Sequence, residues 1–336
     1  MNKKLLLTSA LVGSLAVTGS AIAETKIYGD LEQTWASASR DLAANKESGD
    51  QGYGSETNIG MKASKDIDLG TMNYGIRFEG DGDNTFQSDE HYLEIANDTF
   101  TFHLASNSGS AVSLDGTVVP HVGDQNDTLA SRAGADATSS GYIDVLGGAY
   151  TGATLNVLGG KLTAAYGFGA SGQDSATLTG GDSSLHLAYQ GSLGVEGLTV
   201  QLGRSEVSKT DGQAGDKELS KMGIAYKMGA FAVGVDYQDY EDGKTAITSA
   251  DRQMLRYGAS YNVSDDLSVG VVYNEVQVGV ADTAGTTAVD EEVTTLTVGY
   301  NLGGLGVKLY VSQIDNLGGT SGDDAQVIQL QTKQSF

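Results

Sequence analysis

Residues 253–276, QMLRYGASYNVSDDLSVGVVYNEV, contain two alternating segments separated by a polar turn. Leu255 and Tyr257 stand on alternate positions of the first segment, and Leu267 and Val269 do so in the second. Most of the intervening residues are small or polar. Because successive side chains of a strand point to opposite faces, a period of two separates an apolar face from a polar one. The stretch predicts an amphipathic β-hairpin.

This hairpin has close copies along the chain. In each copy a Tyr ends an apolar alternation just before a turn, and the four are separated by 37, 35 and 39 residues: Tyr189, Tyr226, Tyr261 and Tyr300. A fixed period of this length indicates one hairpin per repeat. The four rings are therefore predicted to lie at one height on the sheet, as an aromatic girdle.

Residues 1–23 have the features of a cleaved secretory signal peptide. Lys3 and Lys4 precede an apolar run, and residues 21–23, AIA, have the small-x-small pattern of a cleavage site. The run is shorter than the roughly 20 residues of a membrane helix. We expect an exported protein whose mature part is one domain, residues 24–336.

Composition limits the classes of function. The chain has no Cys and only one Pro, Pro120, which suits a long closed sheet because a proline inside a strand removes a ladder hydrogen bond. The leader carries only two lysines, so its loss changes the net charge from −23 to −25. This surface argues against nucleic acid as a partner. An interior of the same sign would favour cations.

The alternation predicts sixteen strands, beginning with residues 26–35 and ending with residues 325–336. Strand 6, within residues 141–158, has the weakest alternation. Eight longer, polar connections separate the hairpins, near residues 36–54, 81–89, 106–140, 170–182, 205–217, 240–252, 279–292 and 315–324.

Short turns at one end and long loops at the other are typical of an outer-membrane barrel. We therefore predict an all-β, 16-stranded antiparallel transmembrane barrel with short periplasmic turns, long external loops and lipid around it, in the bacterial outer membrane. With this many strands the interior holds water.

The chain resembles the general Gram-negative porins over nearly all of residues 24–336. The similar segments are IYG at 27–29, NIGMKA at 58–63, DLG at 68–70, YGIRFE at 74–79 and the terminal Phe336. The last strand departs from the family pattern at Thr332 and Gln334, where apolar residues are usual.

This resemblance implies a homotrimer whose third long loop, here residues 106–140, folds inward as the pore constriction. It also implies that Phe336 is a signal for the outer-membrane insertion machinery. The acids of the loop would face basic residues of the opposite wall, Lys62 and Arg77. Those acids are Asp115, Asp124 and Asp127.

His103 lies on the polar face of a strand beside the long loop, so we also assign it to the basic wall of the constriction. Its protonation near pH 6.5 would tune the pore, although a wall position without a role is the simpler interpretation. The four His have no metal-ligand spacing, and GFGASG at 167–172 lacks the helix that a dinucleotide site needs. We predict no catalytic, metal or cofactor site.

The expected function is passive diffusion of small hydrophilic solutes and ions, with modest cation selectivity. One alternative is a substrate-selective channel, for example for a sugar, which should have inward aromatic residues; Tyr28, Tyr92 and Tyr310 are the candidates. A secreted β-rich adhesin or solenoid is the other.

Overall fold

The computed structural model describes residues 24–40, 48–81, 86–106, 119–120, 150–168, 183–208, 216–241, 252–278 and 289–336. These residues form sixteen strands: β1 Glu24–Arg40, β2 Ser48–Ile67, β3 Gly70–Asp81, β4 Phe86–Ala96, β5 Phe100–Ser106, β6 Tyr150–Val157, β7 Gly160–Phe168, β8 Ser183–Gly191, β9 Leu198–Ser208, β10 Lys217–Met228, β11 Phe231–Glu241, β12 Arg252–Asn262, β13 Leu267–Val278, β14 Glu291–Leu302, β15 Leu305–Asp315 and β16 Ala325–Ser335. The predicted number of strands is confirmed.

The strands close into one antiparallel barrel in which each pairs with its neighbours in sequence and β1 pairs with β16. At this seam the register runs from Asp30 opposite Ser335 to Arg40 opposite Ala325. Phe336 extends the ladder, because its N–H and C=O pair with the C=O and N–H of Gly29 at 2.9 and 3.1 Å. A closed sheet leaves no edge, and sixteen strands enclose a water-filled interior.

The predicted inward and outward phases are confirmed in the β12–β13 hairpin. Tyr257 and Tyr261 are about half exposed on the outside, whereas Met254 and Arg256 are buried on the inside. Directly opposite residues share a face, so the register carries this division from strand to strand around the barrel.

Two strands are longer than the alternation predicts. Residues 36–54 were expected to form a loop, but β1 continues to Arg40 and β2 begins at Ser48. The ends of these strands are small and polar on both faces, as suits a ladder that continues beyond the lipid, so hydrophobic alternation does not mark them. Of the segment predicted for strand 6, the structure describes β6 at Tyr150–Val157, and residues 141–149 lie outside the described part of the chain.

The turns at one end of the barrel are short. The β14–β15 turn, for example, uses Gly303 and Gly304 at φ 61° and 105°, where a side chain would be strained. The β15–β16 connection contains a single 3₁₀ turn, Leu317–Gly319, whose Leu317 packs on a cluster of inward apolar residues that includes Val293 and Ile314. No helix among the described residues is long and apolar enough to cross a membrane.

Candidate pore

The inner wall of the barrel is divided into an accessible and a covered part. On β1–β4, several inward charged side chains stay in contact with solvent: Lys62 is exposed, and the Arg77 and Glu90 side chains are 29% and 27% exposed. Glu32, Thr34 and Asn58 on the same strands are buried. On β8–β16, many inward polar side chains are at most 1% exposed: His186, Ser205, Asp236, Gln238, Glu291, Ser312 and Gln329. The part of the wall open to a dissolved molecule therefore includes the inner face of β1–β4.

Two tyrosines lie on glycines of this accessible wall. Tyr28 leans from β1 over Gly60, so a Cβ at Gly60 would overlap the Tyr28 ring. Tyr92 leans from β4 over Gly75 in the same way, and a Cβ at Gly75 would stand 2.5 Å from the Tyr92 ring. Lys62 Nζ lies 5.0 Å from the Tyr28 ring centroid, within cation–π range. The glycines provide the room for both rings to lie close to the sheet.

Charged groups of both signs surround these rings. Arg77 Nη2 lies 3.1 Å from Glu90 Oε1. At the seam, Lys333 Nζ lies 3.3 Å from Asp30 Oδ1 and 3.5 Å from Glu32 Oε2. The structure thus brings Lys62 and Arg77 to one wall, as predicted from their phases, and adds carboxylates beside them.

His103 points inward, but its side chain is held against the sheet by residues of the neighbouring strands. Its side chain is 5% exposed, with Nδ1 2.9 Å from Glu94 Oε1 and Nε2 2.9 Å from Thr154 Oγ1. The Thr154 hydroxyl is in turn 2.8 Å from that of Thr163. This chain of contacts joins β4, β5, β6 and β7 and leaves little of the imidazole in contact with solvent.

The covered wall carries its own charges on β10–β12. Lys221, Asp236 and Arg256 are all inward and buried, and Asp236 stands directly opposite Arg256. Arg256 Nε donates a hydrogen bond to Asn274 Oδ1 at 2.7 Å. Opposite charges in directly opposed positions stabilise a sheet, which favours a balancing role for these bases.

The long β5–β6 connection contacts this covered wall. Val119 is 1% exposed, and its Cγ1 lies 2.8 Å from where a Cβ at Gly258 would stand. Pro120 Cδ lies 2.8 Å from where a Cβ at Gly234 would stand. Both glycines face the interior, on β11 and β12. The three predicted constriction acids lie outside the described residues: Asp115, Asp124 and Asp127.

A cavity of about 800 Å³ opens at the turn end of β12–β15. Inward Ser268, Gly299 and Lys308 line it together with turn residues that include Asp265 and Asp266. This vestibule leaves room for side chains larger than the Ser and Gly present.

The four girdle tyrosines all lie on the outer face beside short turns. Tyr189 also donates a hydrogen bond from its hydroxyl to Leu158 O in the β6–β7 turn, at 2.9 Å. Phe336 is outward and 69% exposed, and its ring packs over Gly29.

Sequence reasoning missed two features of this interior, the seam cluster around Lys333 and the glycine pair under Val119 and Pro120. Both depend on which strands lie side by side. A tight turn fixes the pairing only within its own hairpin, whereas Gly234 and Gly258 lie on strands joined by a long connection, so the sequence contains no turn that sets them opposite each other.

A family model described as Gram-negative porin matches residues 8–319. The chain belongs to this porin family. The porin resembles solved structures at low identity, which supports the fold alone. One is a loop L8 deletion mutant of OmpT, an outer membrane protein of Vibrio cholerae, with TM-score 0.68 and 16% identity, covering 94% of this chain and 100% of that chain.

The trimer form of Vibrio cholerae OmpT has TM-score 0.64 and 15% identity, covering 93% and 99% of the two chains. A mutant of the Rh. blastica porin has TM-score 0.60 and 15% identity, covering 93% and 100%. Comparison with curated protein sequences finds no match.

The porin is a channel of the bacterial outer membrane, and the interior of its barrel is the pore. The alternative of a secreted adhesin or solenoid is wrong, because the sheet closes on itself and the sequence matches the porin family over most of its length.

Proposed function

We propose that the porin passes small hydrophilic solutes and ions by passive diffusion along the accessible wall of β1–β4, without catalysing a reaction. The observation that carries this proposal is the asymmetry of the inner wall, where β1–β4 present solvent-exposed charges and much of the opposite wall is covered. Charged and polar walls favour polar solutes over apolar ones.

Modest cation selectivity belongs to the same proposal. Acids outnumber bases among the inward charges of β1–β4 and the seam: Asp30, Glu32, Glu56, Glu79, Glu90 and Glu94 against Lys26, Lys62, Arg77 and Lys333. We further assign the long loop, residues 106–140, to the constriction, with Asp115, Asp124 and Asp127 as its acids. Their negative charge would act in the same direction.

Assembly as a homotrimer is also part of the proposal. It is supported by the trimer form of the similar OmpT and by the outer face of β16, β1 and β2. There Gln33 faces outward between Thr332 and Ser55, and Leu31 stands opposite Gln334. Polar side chains in this position suit contact with a second protein better than contact with lipid. Removal of residues 1–23 and recognition of Phe336 by the insertion machinery complete the proposed route to the membrane.

A second candidate function is a channel selective for a ring-shaped solute such as a sugar. The accessible inward rings of Tyr28 and Tyr92 favour it, because an aromatic face binds the apolar face of a sugar ring. Tyr310 also points inward but is fully buried, so it offers no contact to a solute.

Single-channel recording in a planar bilayer tests both functions. Ohmic conductance with a reversal potential that favours potassium over chloride in a salt gradient supports diffusion with cation selectivity. Chloride preference refutes the sign. Block of the current by millimolar sugar, abolished in Tyr92→Ala, would support the second function instead.

A further inference from the structure

A row of small and apolar residues crosses the covered wall. Ala225, Gly234, Gly258 and Val272 are consecutive register partners on β10, β11, β12 and β13, and all four face the interior. The neighbouring row contains Asp236 opposite Arg256. We call the four small residues the notch.

Val119 and Pro120 occupy the notch. The Val119 side chain lies over Gly258, and the Pro120 ring lies over Gly234, each so close that a Cβ on the glycine would stand 2.8 Å from it. Real Cβ atoms do not approach other atoms so closely, since carbon atoms attract best at about 3.5–4.0 Å. Neither residue fits above a side chain at these positions.

The backbone does not explain these glycines. Neither Gly234 nor Gly258 has a left-handed φ, so an L-residue would adopt the same conformation. Glycine weakens the interior of a strand and commonly marks the close approach of another segment. The glycines leave space for Val119 and Pro120, and they also keep clear of Val271 O at Gly258 and of Ala225 Cβ at Gly234.

We infer that the notch is the seat that holds the β5–β6 connection inside the barrel, with Val119 and Pro120 as positioning residues for pore width and selectivity. The inference rests on the proposed function, in which this connection narrows the pore. With the seat filled, the connection stays on the covered wall and the solute path stays on β1–β4. With the seat empty, the connection loses its contact with β11–β12 and the pore widens.

A charge at the apolar contact tests the seat without altering the wall. Val119→Asp places a carboxylate where a buried apolar side chain now lies, and an unpaired charge is not retained in such a place. We expect its single-channel conductance to rise to that of a variant whose β5–β6 connection is replaced by a short Gly-Ser linker. The potassium preference should fall in parallel.

The matched control is Thr320→Asp, which adds the same charge to an exposed residue of the β15–β16 connection. This variant should conduct like the parent protein. A Val119→Asp channel that also conducts like the parent would overturn the inference.

A disulfide provides the complementary test, since the chain has no cysteine of its own. Val119→Cys with Gly258→Cys should crosslink on mild oxidation, because the two Cβ atoms would fall within the ~3.5–4.5 Å that a disulfide needs. Conductance should not change when the bond forms, since the connection is already seated. The control pairs Val119→Cys with Ala188→Cys on β8, four strands and roughly 19 Å around the sheet from β12.

At least roughly tenfold more crosslink in the first pair than in the control is expected, because Cα atoms more than about 7 Å apart cannot be bridged. Equal crosslinking in a folded, conducting protein would refute the seat and leave the proposed function standing. A folded protein with no conductance would instead refute the proposed function. A Cβ at Gly258 would also lie 2.8 Å from Val271 O, so Gly258→Cys strains the sheet. If the double cysteine variant does not fold, the conductance of Val119→Asp decides between the two outcomes.

Discussion

Replacing Val271 with arginine should destabilise the barrel strongly. Val271 faces outward on β13, 39% exposed, between its register partners Ala259 and Leu296. Two residues before it, Val269 stands opposite Tyr261 of the aromatic girdle. Two residues after it, Tyr273 stacks on Tyr257, with ring centroids 4.8 Å apart. Val271 thus occupies the middle of the lipid-facing band.

The expected cost follows from this depth. An arginine at the bilayer midplane of a barrel costs about 2–4 kcal/mol, and one near the interface about 0–1 kcal/mol. Val271→Arg should therefore lower the folding equilibrium constant roughly 30- to 700-fold, at about 1.4 kcal/mol per factor of ten. Val269→Arg, at the level of Tyr261, should cost no more than about 1 kcal/mol.

Ser268→Arg is the control for the added side chain itself. Ser268 is inward and lines the vestibule of about 800 Å³, which has room for an arginine in water. All three variants should be refolded into lipid vesicles and titrated with urea, with the heat-dependent shift in gel mobility as the measure of folded barrel. Equal stability of Val271→Arg and Ser268→Arg would show that the inner and outer faces are assigned wrongly.

Three further changes concern conduction. Replacing residues 107–149 with a short Gly-Ser linker should leave the barrel folded and raise its conductance, because the proposed constriction is removed. Changing Asp115, Asp124 and Asp127 together to Asn should shift the reversal potential towards chloride in a salt gradient. Lys333→Gln should shift it towards potassium, since a base beside two carboxylates is lost, while stability changes by less than about 1 kcal/mol because that ion pair is partly exposed.

For each of these three variants, one result would contradict the expectation. Unchanged conductance after linker replacement would mean that residues 107–149 do not narrow the pore. An unchanged reversal potential in the triple variant, with normal conductance, would remove the three acids from the path of ions. A shift of the Lys333→Gln channel towards chloride would show that the seam does not face the conducting space.

The parts of the fold that depend on strict alternation could be predicted from the sequence. The β12–β13 hairpin is an example, because lipid on one side and water on the other impose opposite requirements on successive residues. The ends of β1 and β2 could not be predicted in this way. Residues such as Ala38 and Ser39 carry no apolar alternation, and only the ladder with the neighbouring strands shows that they are strand.

The site was less predictable because its contacts join residues distant in sequence. Lys62 and Arg77 were placed on the inner face by phase alone. The contact of Lys333 with Asp30 required closure between the first and last strands, and the buried position of His103 required three neighbouring strands to be known.

Closure also changes how charge should be counted. In sequence, Lys221 and Arg256 oppose the wall acids as fully as Lys62 and Arg77 do, because all four have an inward phase. In the structure Lys221 and Arg256 are buried on the covered wall with Asp236, whereas Lys62 and Arg77 lie on the accessible wall. A passing ion responds mainly to charges within about 8 Å at physiological salt. The sign of selectivity therefore depends on the charges of the accessible wall and on the charges of the β5–β6 connection that face it. The net charge of −25 over residues 24–336 has little direct effect.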